Sequence, residues 1–171
     1  ARFDQALRQV LGDWLDLHPG LPALACGMVG SAHGWREAPY AACPVGIAGL
    51  HEQAVTVPWR GGALRILPGL SCRGDDGTPD VMRGEETQIA GALARHPALV
   101  ADATAVLPGT HSKWAHLRGG VVRGFETRMT GELFAVLRQH SVLGKLMQPR
   151  EGLDGEAFDR GQIELAVLEG A

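Results

Sequence analysis

The stretch Asp80-Val81-Met82-Arg83-Gly84-Glu85-Glu86-Thr87-Gln88 places an arginine and a glycine directly before two glutamates, with helix-forming residues behind them. The helix dipole stabilises carboxylates in the first turn, so the pattern predicts a helix that begins at the glycine and reaches about Arg95. A cation beside two acids can hold one carboxylate ionised and orient the other. Adjacent helix residues point about 100° apart, so only one glutamate can face a given cleft. The stretch therefore predicts a functional site at a helix start.

Length and composition limit the classes of function. The 171 residues suffice for one domain or two small lobes, and the formal net charge is -3. That charge provides no basic surface for nucleic acid or an anionic membrane, and no apolar run approaches the ~20 residues of a membrane span. Cys26, Cys43 and Cys72 form no CxxC pair, which favours reduced thiols in a cytoplasm over a structural disulfide.

Periodicity and turn residues predict an α/β domain. The predicted elements are a helix over 3–14, a strand covered on both faces over 21–29, a short helix over 47–54, a strand over 63–67, a loop over 71–79, the helix from 84 to about 95, a buried strand over 103–107, a hairpin of 113–117 and 121–127, a helix from 130 to about 140, and a helix over 158–168. Thr130 is expected to cap the helix that it precedes.

Two loops are expected to face the helix start. Residues 27–34, GMVGSAHG, contain glycines around a polar pair, so backbone amides and side chains can contact a small polar ligand; a tight turn with a solvated histidine is the alternative. Gly109 and Thr110 follow a buried strand, and with Lys113 they suit phosphate oxygens. The alternative there is a hairpin entry whose threonine caps its own turn. The histidines are scattered and predict no metal site.

Four segments together resemble one enzyme family. They are CGMVGSAHGWREAPY (26–40), VMRGEETQ (81–88), LPGTHSKW (107–114) and FETRMTGELF (125–134). In order and spacing they resemble 2-keto-3-deoxygalactonate kinases, also called 2-dehydro-3-deoxygalactonokinases, of the actin-like sugar-kinase superfamily. The resemblance implies ribonuclease-H-like lobes, here incomplete. Residues 1–100 would form most of the sugar-binding lobe and 101–171 the start of the nucleotide-binding lobe.

The resemblance also implies a reaction, which is transfer of the ATP γ-phosphate, with Mg²⁺, to the C6 hydroxyl of 2-dehydro-3-deoxy-D-galactonate in galactonate breakdown. The implied catalytic residues are Glu86, Glu85 and Arg83, with Glu86 favoured as the base and Arg83 as the partner of the substrate carboxylate. The implied sugar contacts are Ser31, His33, Trp35, Glu37 and Tyr40. The implied phosphate contacts are Gly109, Thr110, His111, Lys113 and Thr130, and no residue is assigned as a metal ligand.

The sequence departs from the superfamily in one respect. No Asp-x-Gly-Thr hairpin occurs in residues 1–24, and the later adenosine-binding segment has no counterpart before residue 171. We therefore expect an internal fragment that binds the sugar acid weakly and has no kinase activity alone. A truncated, non-catalytic sugar-acid-binding remnant and a kinase acting on another sugar acid remain alternatives, and a homo-oligomer is compatible with the sequence.

Overall fold

The computed structural model describes residues 2–18, 20–59, 62–146 and 166–168. The helices are α1 (Arg2–Leu17), α2 (Glu85–Arg95), α3 (Gly131–His140) and α4 (Val142–Leu146). The strands are β1 (Ala23–Ala25), β2 (Tyr40–Ala42), β3 (Val45–Gly46), β4 (Val55–Trp59), β5 (Gly62–Ile66), β6 (Gly69–Arg73), β7 (Pro79–Met82), β8 (Asp102–Leu107), β9 (His111–Arg118), β10 (Val121–Met129) and β11 (Ala166–Leu168). Short 3₁₀ helices cover Gly27–Gly30, Ile47–Gln53 and Pro97–Val100.

The described strands form three sheets, in the orders β1-β5-β4, β2-β6-β7 and β11-β8-β9-β10-β3. Each of the first two contains one parallel pair, β1 with β5 and β2 with β6, and one antiparallel pair. The third sheet is antiparallel throughout. Gly119 and Gly120 join β9 to β10 with φ of 62° and 71°, as a tight hairpin with two left-handed residues requires. The result is a mixed α/β fold.

The larger core cluster contains residues from both sides of position 100. Leu70, Met82 and Ile89 from the β6–β7–α2 unit pack in the same cluster as Leu117 and Phe125 from β9 and β10. The start of α2 and the sheet that carries the β8–β9 turn therefore share one core. A smaller cluster surrounds Ala38, Leu64 and Ile66 and includes part of α1.

Several elements confirm the sequence-based expectations. The amphipathic pattern at the start of the chain forms α1, and α2 begins at Glu85 directly after Gly84. The expected short helix near residue 47 is a 3₁₀ helix. The expected hairpin forms, with longer strands than predicted. No helix among the described residues is both long and apolar enough to cross a membrane.

The prediction of a strand covered on both faces over residues 21–29 was wrong in length and burial. β1 has three residues, and Leu24 at its centre is 59% exposed. The physical reason is local, because Gly27 has a φ of 80° and turns the chain out of the extended region into a 3₁₀ helix.

The prediction of a loop over residues 71–79 was correct for 74–78 and wrong at both ends, which belong to strands. These residues complete β6, form a turn and begin β7. Gly74 and Gly77 lie in the turn, where the Gly74 N–H donates to the Thr78 carbonyl at 2.9 Å and Gly77 has a φ of 80°. Polar and glycine residues marked a hairpin turn here rather than a long loop.

Two helix predictions need correction at the end of the described chain. Thr130 precedes α3, but its hydroxyl forms no capping hydrogen bond and instead donates to the Gly109 carbonyl at 3.4 Å. Ala166–Leu168 form β11, which pairs with β8, so the helix predicted there was wrong for these three residues. The remainder of that prediction, over 158–165, lies outside the described residues.

Candidate functional site

The start of α2 holds two carboxylates by backbone hydrogen bonds from the residues just before it. Gly84 has a φ of 112°, and its N–H donates to Glu86 Oε2 at 2.7 Å. The Arg83 N–H donates to Glu85 Oε2 at 2.9 Å. Both glutamate side chains therefore fold back over donors that the helix itself leaves unpaired.

Glu86 is the buried member of the pair, with 1% of its surface exposed, whereas Glu85 is half-buried. Burial raises the pKa of the Glu86 carboxyl, while the N–H groups of Glu86 and Gly84 oppose the rise and the neighbouring Glu85 charge adds to it. A buried carboxyl with a raised pKa binds a proton more readily than an ordinary glutamate, which suits a general base.

The Arg83 guanidinium joins the start of α2 to the segment that ends at β2. Its Nη2 donates to the Ala38 carbonyl at 2.8 Å and its Nε donates to the Tyr40 hydroxyl at 3.3 Å. Its central carbon lies 4.2 Å above the centre of the Tyr40 ring. Nη1 is buried and has no hydrogen-bond partner in the described part of the chain. An unpaired buried donor is costly, so an acceptor such as a carboxylate would stabilise this nitrogen.

The glycine-rich segment contacts this group through its backbone. A Cβ placed on Gly30 would lie 2.9 Å from Arg83 Nη1, and a Cβ placed on Gly84 would lie 3.5 Å from Gly27 Cα. A Cβ on Gly34 would lie 2.2 Å from the Val29 carbonyl oxygen, so only glycine fits there. At Gly30 the segment thus approaches Arg83 at a distance that a Cβ would prevent.

The predicted sugar-contact residues have different surroundings. His33 and Glu37 are exposed, and Ser31 is half-buried at the end of the 3₁₀ helix. The Trp35 ring stacks on Phe3 of α1 with centroids 6.2 Å apart, so at least one of its faces is used for packing. Of the five residues, Tyr40 is the one whose side chain contacts Arg83 directly.

The predicted phosphate-binding turn forms a second group, between β8 and β9. The Glu132 N–H donates to the Thr110 carbonyl at 3.0 Å, and a Cβ on Gly131 would lie 2.6 Å from the Gly109 carbonyl oxygen. His111 Nε2 lies 2.5 Å from a Glu132 carboxylate oxygen. The N-terminus of α3 therefore packs directly on the turn, and the positive end of its dipole favours an anion nearby.

Lys113 lies between the two groups, and its side chain is 11% exposed. Its ammonium donates to the Val81 carbonyl and to Thr127 Oγ1, both at 2.6 Å, and lies 3.7 Å from Asp80 Oδ1. The ammonium thus faces β7. The sequence did not indicate a role for Asp80 or Thr127. Asp80 lies on β7, a strand that was not predicted, and its contact with Thr127 joins residues 47 positions apart.

The structure also contains a surface cavity of about 800 Å³ that the sequence did not predict. It lies between the β6–β7 turn and β10, and charged residues of both signs line it, among them Arg73, Asp76, Asp80, Arg123 and Arg128. Among the described residues, no group of three or more histidine, cysteine or acidic side chains could hold a metal ion.

Comparison with known proteins gives a consistent result. The family model described as 2-keto-3-deoxy-galactonokinase matches residues 1–168. A Rhizobium meliloti (strain 1021) protein named probable 2-dehydro-3-deoxygalactonokinase is 46% identical over 123 residues, which cover 72% of this chain and 39% of that protein. The 2-dehydro-3-deoxygalactonokinase of Escherichia coli (strain K12) is 39% identical over 155 residues, covering 91% of this chain and 49% of that protein.

A solved structure is also similar. A protein of Sinorhizobium meliloti, described as a 2-dehydro-3-deoxygalactonokinase, superposes with a TM-score of 0.69 and 40% identity. The match covers 81% of this chain and 46% of the solved chain. The chain thus spans about half the length of the relatives it matches, or less.

Proposed function

Because the chain belongs to the 2-keto-3-deoxy-galactonokinase family, we propose that it forms part of a kinase that phosphorylates 2-dehydro-3-deoxy-D-galactonate with ATP in galactonate breakdown. The observation that carries this proposal is the arrangement of Glu86, a buried carboxyl held by the Gly84 N–H with a raised pKa, beside the Arg83 guanidinium. A base for an alcohol and a cation for a carboxylate are the two groups that a sugar-acid kinase needs on its acceptor side.

Glu86 accepts the proton of the C6 hydroxyl while the hydroxyl oxygen attacks the γ-phosphorus. The new bond joins C6 oxygen to phosphorus, and the bond between phosphorus and the bridging oxygen of ADP breaks. The Gly84 N–H fixes one carboxylate oxygen at 2.7 Å, which orients the group before substrate arrives. Glu85, also at the helix start, remains the second candidate for the base.

Arg83 binds the substrate carboxylate through Nη1, the nitrogen without a partner among the described residues. Tyr40 holds the guanidinium plane from below. Ser31, His33 and Glu37 contact the sugar hydroxyls from the glycine-rich segment, and Trp35 fixes the end of that segment against α1.

The nucleotide phosphates bind at the turn between β8 and β9. Gly109 and Thr110 provide backbone and hydroxyl donors there, and His111 and Thr130 stand beside them. ATP brings Mg²⁺, which kinases commonly hold through phosphates, water and one or two carboxylates. Among the described residues, no group of three or more histidine, cysteine or acidic side chains could hold the ion by itself.

Family membership is also the basis for a proposed fold and a proposed cellular location. We assign ribonuclease-H-like lobes, with residues 1–100 on the sugar side and 101–171 opening the nucleotide side, in a cytoplasmic enzyme. The common core of the β6–β7–α2 unit and the β8–β10 sheet supports a close approach of the two sides.

An ADP-release assay on the gene product that carries this sequence tests the proposal. With 2-dehydro-3-deoxy-D-galactonate, Glu86→Gln is expected to lower kcat at least about 100-fold, the scale of general-base catalysis, with little change in KM for the sugar acid. Glu85→Gln is the matched control, and less than a tenfold loss is expected. Absence of turnover in the wild-type enzyme overturns the function, and full activity in Glu86→Gln overturns the base assignment.

A further inference from the structure

Lys113 is a buried cation on β9 whose hydrogen-bond partners lie on other strands. An ammonium has three N–H donors. Two of them reach the Val81 carbonyl and Thr127 Oγ1 at 2.6 Å, and Asp80 Oδ1 lies 3.7 Å away. Thr127 Oγ1 in turn donates to Asp80 Oδ1 at 2.6 Å. The ammonium, hydroxyl and carboxylate therefore form one connected group, named the Lys113–Asp80–Thr127 group below.

The Lys113–Asp80–Thr127 group closes the free edge of β7. This strand pairs with β6 on one side, where Val81 stands opposite Ser71. On the other side, the Val81 N–H donates to Asp80 Oδ1 at 2.8 Å, and the Val81 carbonyl accepts from Lys113. Both backbone groups of Val81 on that edge are thus satisfied by a charged pair, where an edge strand would otherwise leave them unpaired.

The position of Lys113 in its own sheet determines which parts of the candidate site its contact with Val81 connects. Lys113 stands opposite Leu107 of β8 and opposite Thr127 of β10. Leu107 is the last residue of β8, so Lys113 occupies the last rung before the turn that contains Gly109 and Thr110. Val81 lies two residues before Arg83. One side chain therefore connects the sheet below the phosphate turn to the strand that leads into the α2 carboxylates.

We propose that Lys113 is a positioning residue, which together with Asp80 and Thr127 fixes the start of α2 relative to the Gly109–Thr110 turn. This inference rests on the proposed kinase function, because those two groups are the base side and the phosphate side of that reaction. Lys113 acts through Val81 and Asp80 on Arg83 and the glutamates, and it does not bind nucleotide phosphate. The Lys113 side chain is 11% exposed, and its ammonium already has oxygen partners on Val81 and Thr127.

The first test measures amide hydrogen exchange, which needs no turnover. Lys113→Met keeps the length of the side chain and removes its three donors. At least tenfold faster exchange is expected for the amides of residues 82–87, because the strand before them loses its attachment to the sheet. Lys145→Met, which removes an exposed lysine on α4, is the matched control and leaves these amides unchanged. Unchanged exchange in Lys113→Met overturns the proposal.

The second test separates positioning from phosphate binding. In the kinase assay, Lys113→Met is expected to lower kcat at least tenfold, with KM for ATP changed less than threefold. A tenfold rise in KM for ATP with kcat unaffected identifies a phosphate contact and overturns the proposal. If the wild-type enzyme has no turnover, the kinase function fails, and the exchange experiment still decides whether Lys113 fixes the start of α2.

Thr127→Val provides a second variant if Lys113→Met does not fold. It removes the hydroxyl that accepts from Lys113 and donates to Asp80, and it keeps the ammonium. Faster exchange of the same amides is expected in Thr127→Val. When Lys113→Met does fold, the double variant should lose no more kcat than Lys113→Met alone, because the residues act as one group. Independent, multiplicative losses overturn the proposal.

Discussion

Gly84 should not tolerate alanine, although space for a methyl group exists. Its φ of 112° with ψ of -39° lies where a residue with a Cβ is strained, at a cost of about 1–3 kcal/mol. Crowding adds little, because the new Cβ would lie 3.5 Å from Gly27 Cα, an ordinary contact. Rotation of the backbone to relieve the strain would move the Gly84 N–H away from Glu86, and a buried acceptor that loses its donor costs a similar amount.

Gly91→Ala is the matched control for Gly84→Ala. Gly91 lies in the interior of α2, is exposed, and has no atom within 4 Å of a new Cβ. Alanine there is expected to stabilise the protein by about 0.5–1 kcal/mol through its helix propensity. The two variants should therefore differ by about 1.5–4 kcal/mol in the free energy of unfolding.

Urea unfolding followed by tryptophan fluorescence measures this difference. The expected order of stability is Gly91→Ala, wild type, then Gly84→Ala. If the two alanine variants unfold within about 0.5 kcal/mol of each other, the left-handed backbone at Gly84 carries no strain for alanine, and the reasoning is refuted.

Two further predictions concern titratable groups. Because the folded state binds the Glu86 proton more tightly than the unfolded state does, the free energy of unfolding should fall as pH rises from about 4.3, the ordinary glutamate pKa, through the raised pKa. In urea titrations at a series of pH values, the free energy of unfolding of Glu86→Gln should not show this decrease. Parallel pH profiles for the wild type and the variant would contradict the prediction. Burial raises the pKa of the Cys72 thiol and raises the pKa of the Cys43 thiol to about 11, whereas Cys26 is exposed. The Cys26 thiol alone should therefore react quickly with a disulfide reagent at pH 8. Cys26→Ser should abolish this fast phase, and a fast phase that survives would show that burial does not protect the other two.

Local signals made part of this structure predictable. The glycine and two glutamates before an apolar run located the start of α2 to within one residue, because a helix dipole and unpaired N–H groups act within one turn. The Gly119-Gly120 pair located the β9–β10 hairpin for a similar reason. The loop predicted over 71–79 was too long at both ends, because the strands of an exposed hairpin at the edge of a sheet have a polar composition like that of a loop.

Long-range contacts in the candidate site could not be predicted. Lys113 was expected to face phosphate because its charge is visible in the sequence, whereas its partner Val81 contributes only a backbone carbonyl 32 residues away. The family resemblance implied a sugar contact for Trp35, whereas its stacking on Phe3 depends on where α1 packs and has no local sequence signal. The backbone frame of the site followed from local sequence, and the use of each side chain required the tertiary structure.

Two glycines of the segment 27–34 limit which of its positions can change in related sequences. A methyl group on Gly30 would collide with Arg83 and Ile66, and one on Gly34 would collide with the Val29 carbonyl, so both positions are closed to substitution. His33 and Glu37, by contrast, are exposed, and surface changes usually alter stability by no more than about 0.5 kcal/mol. Under the proposed function, substitutions at His33 and Glu37 can therefore change which sugar acid is accepted while the fold keeps its stability, because the proposed sugar contacts and the sterically closed glycines occupy separate positions of one short segment.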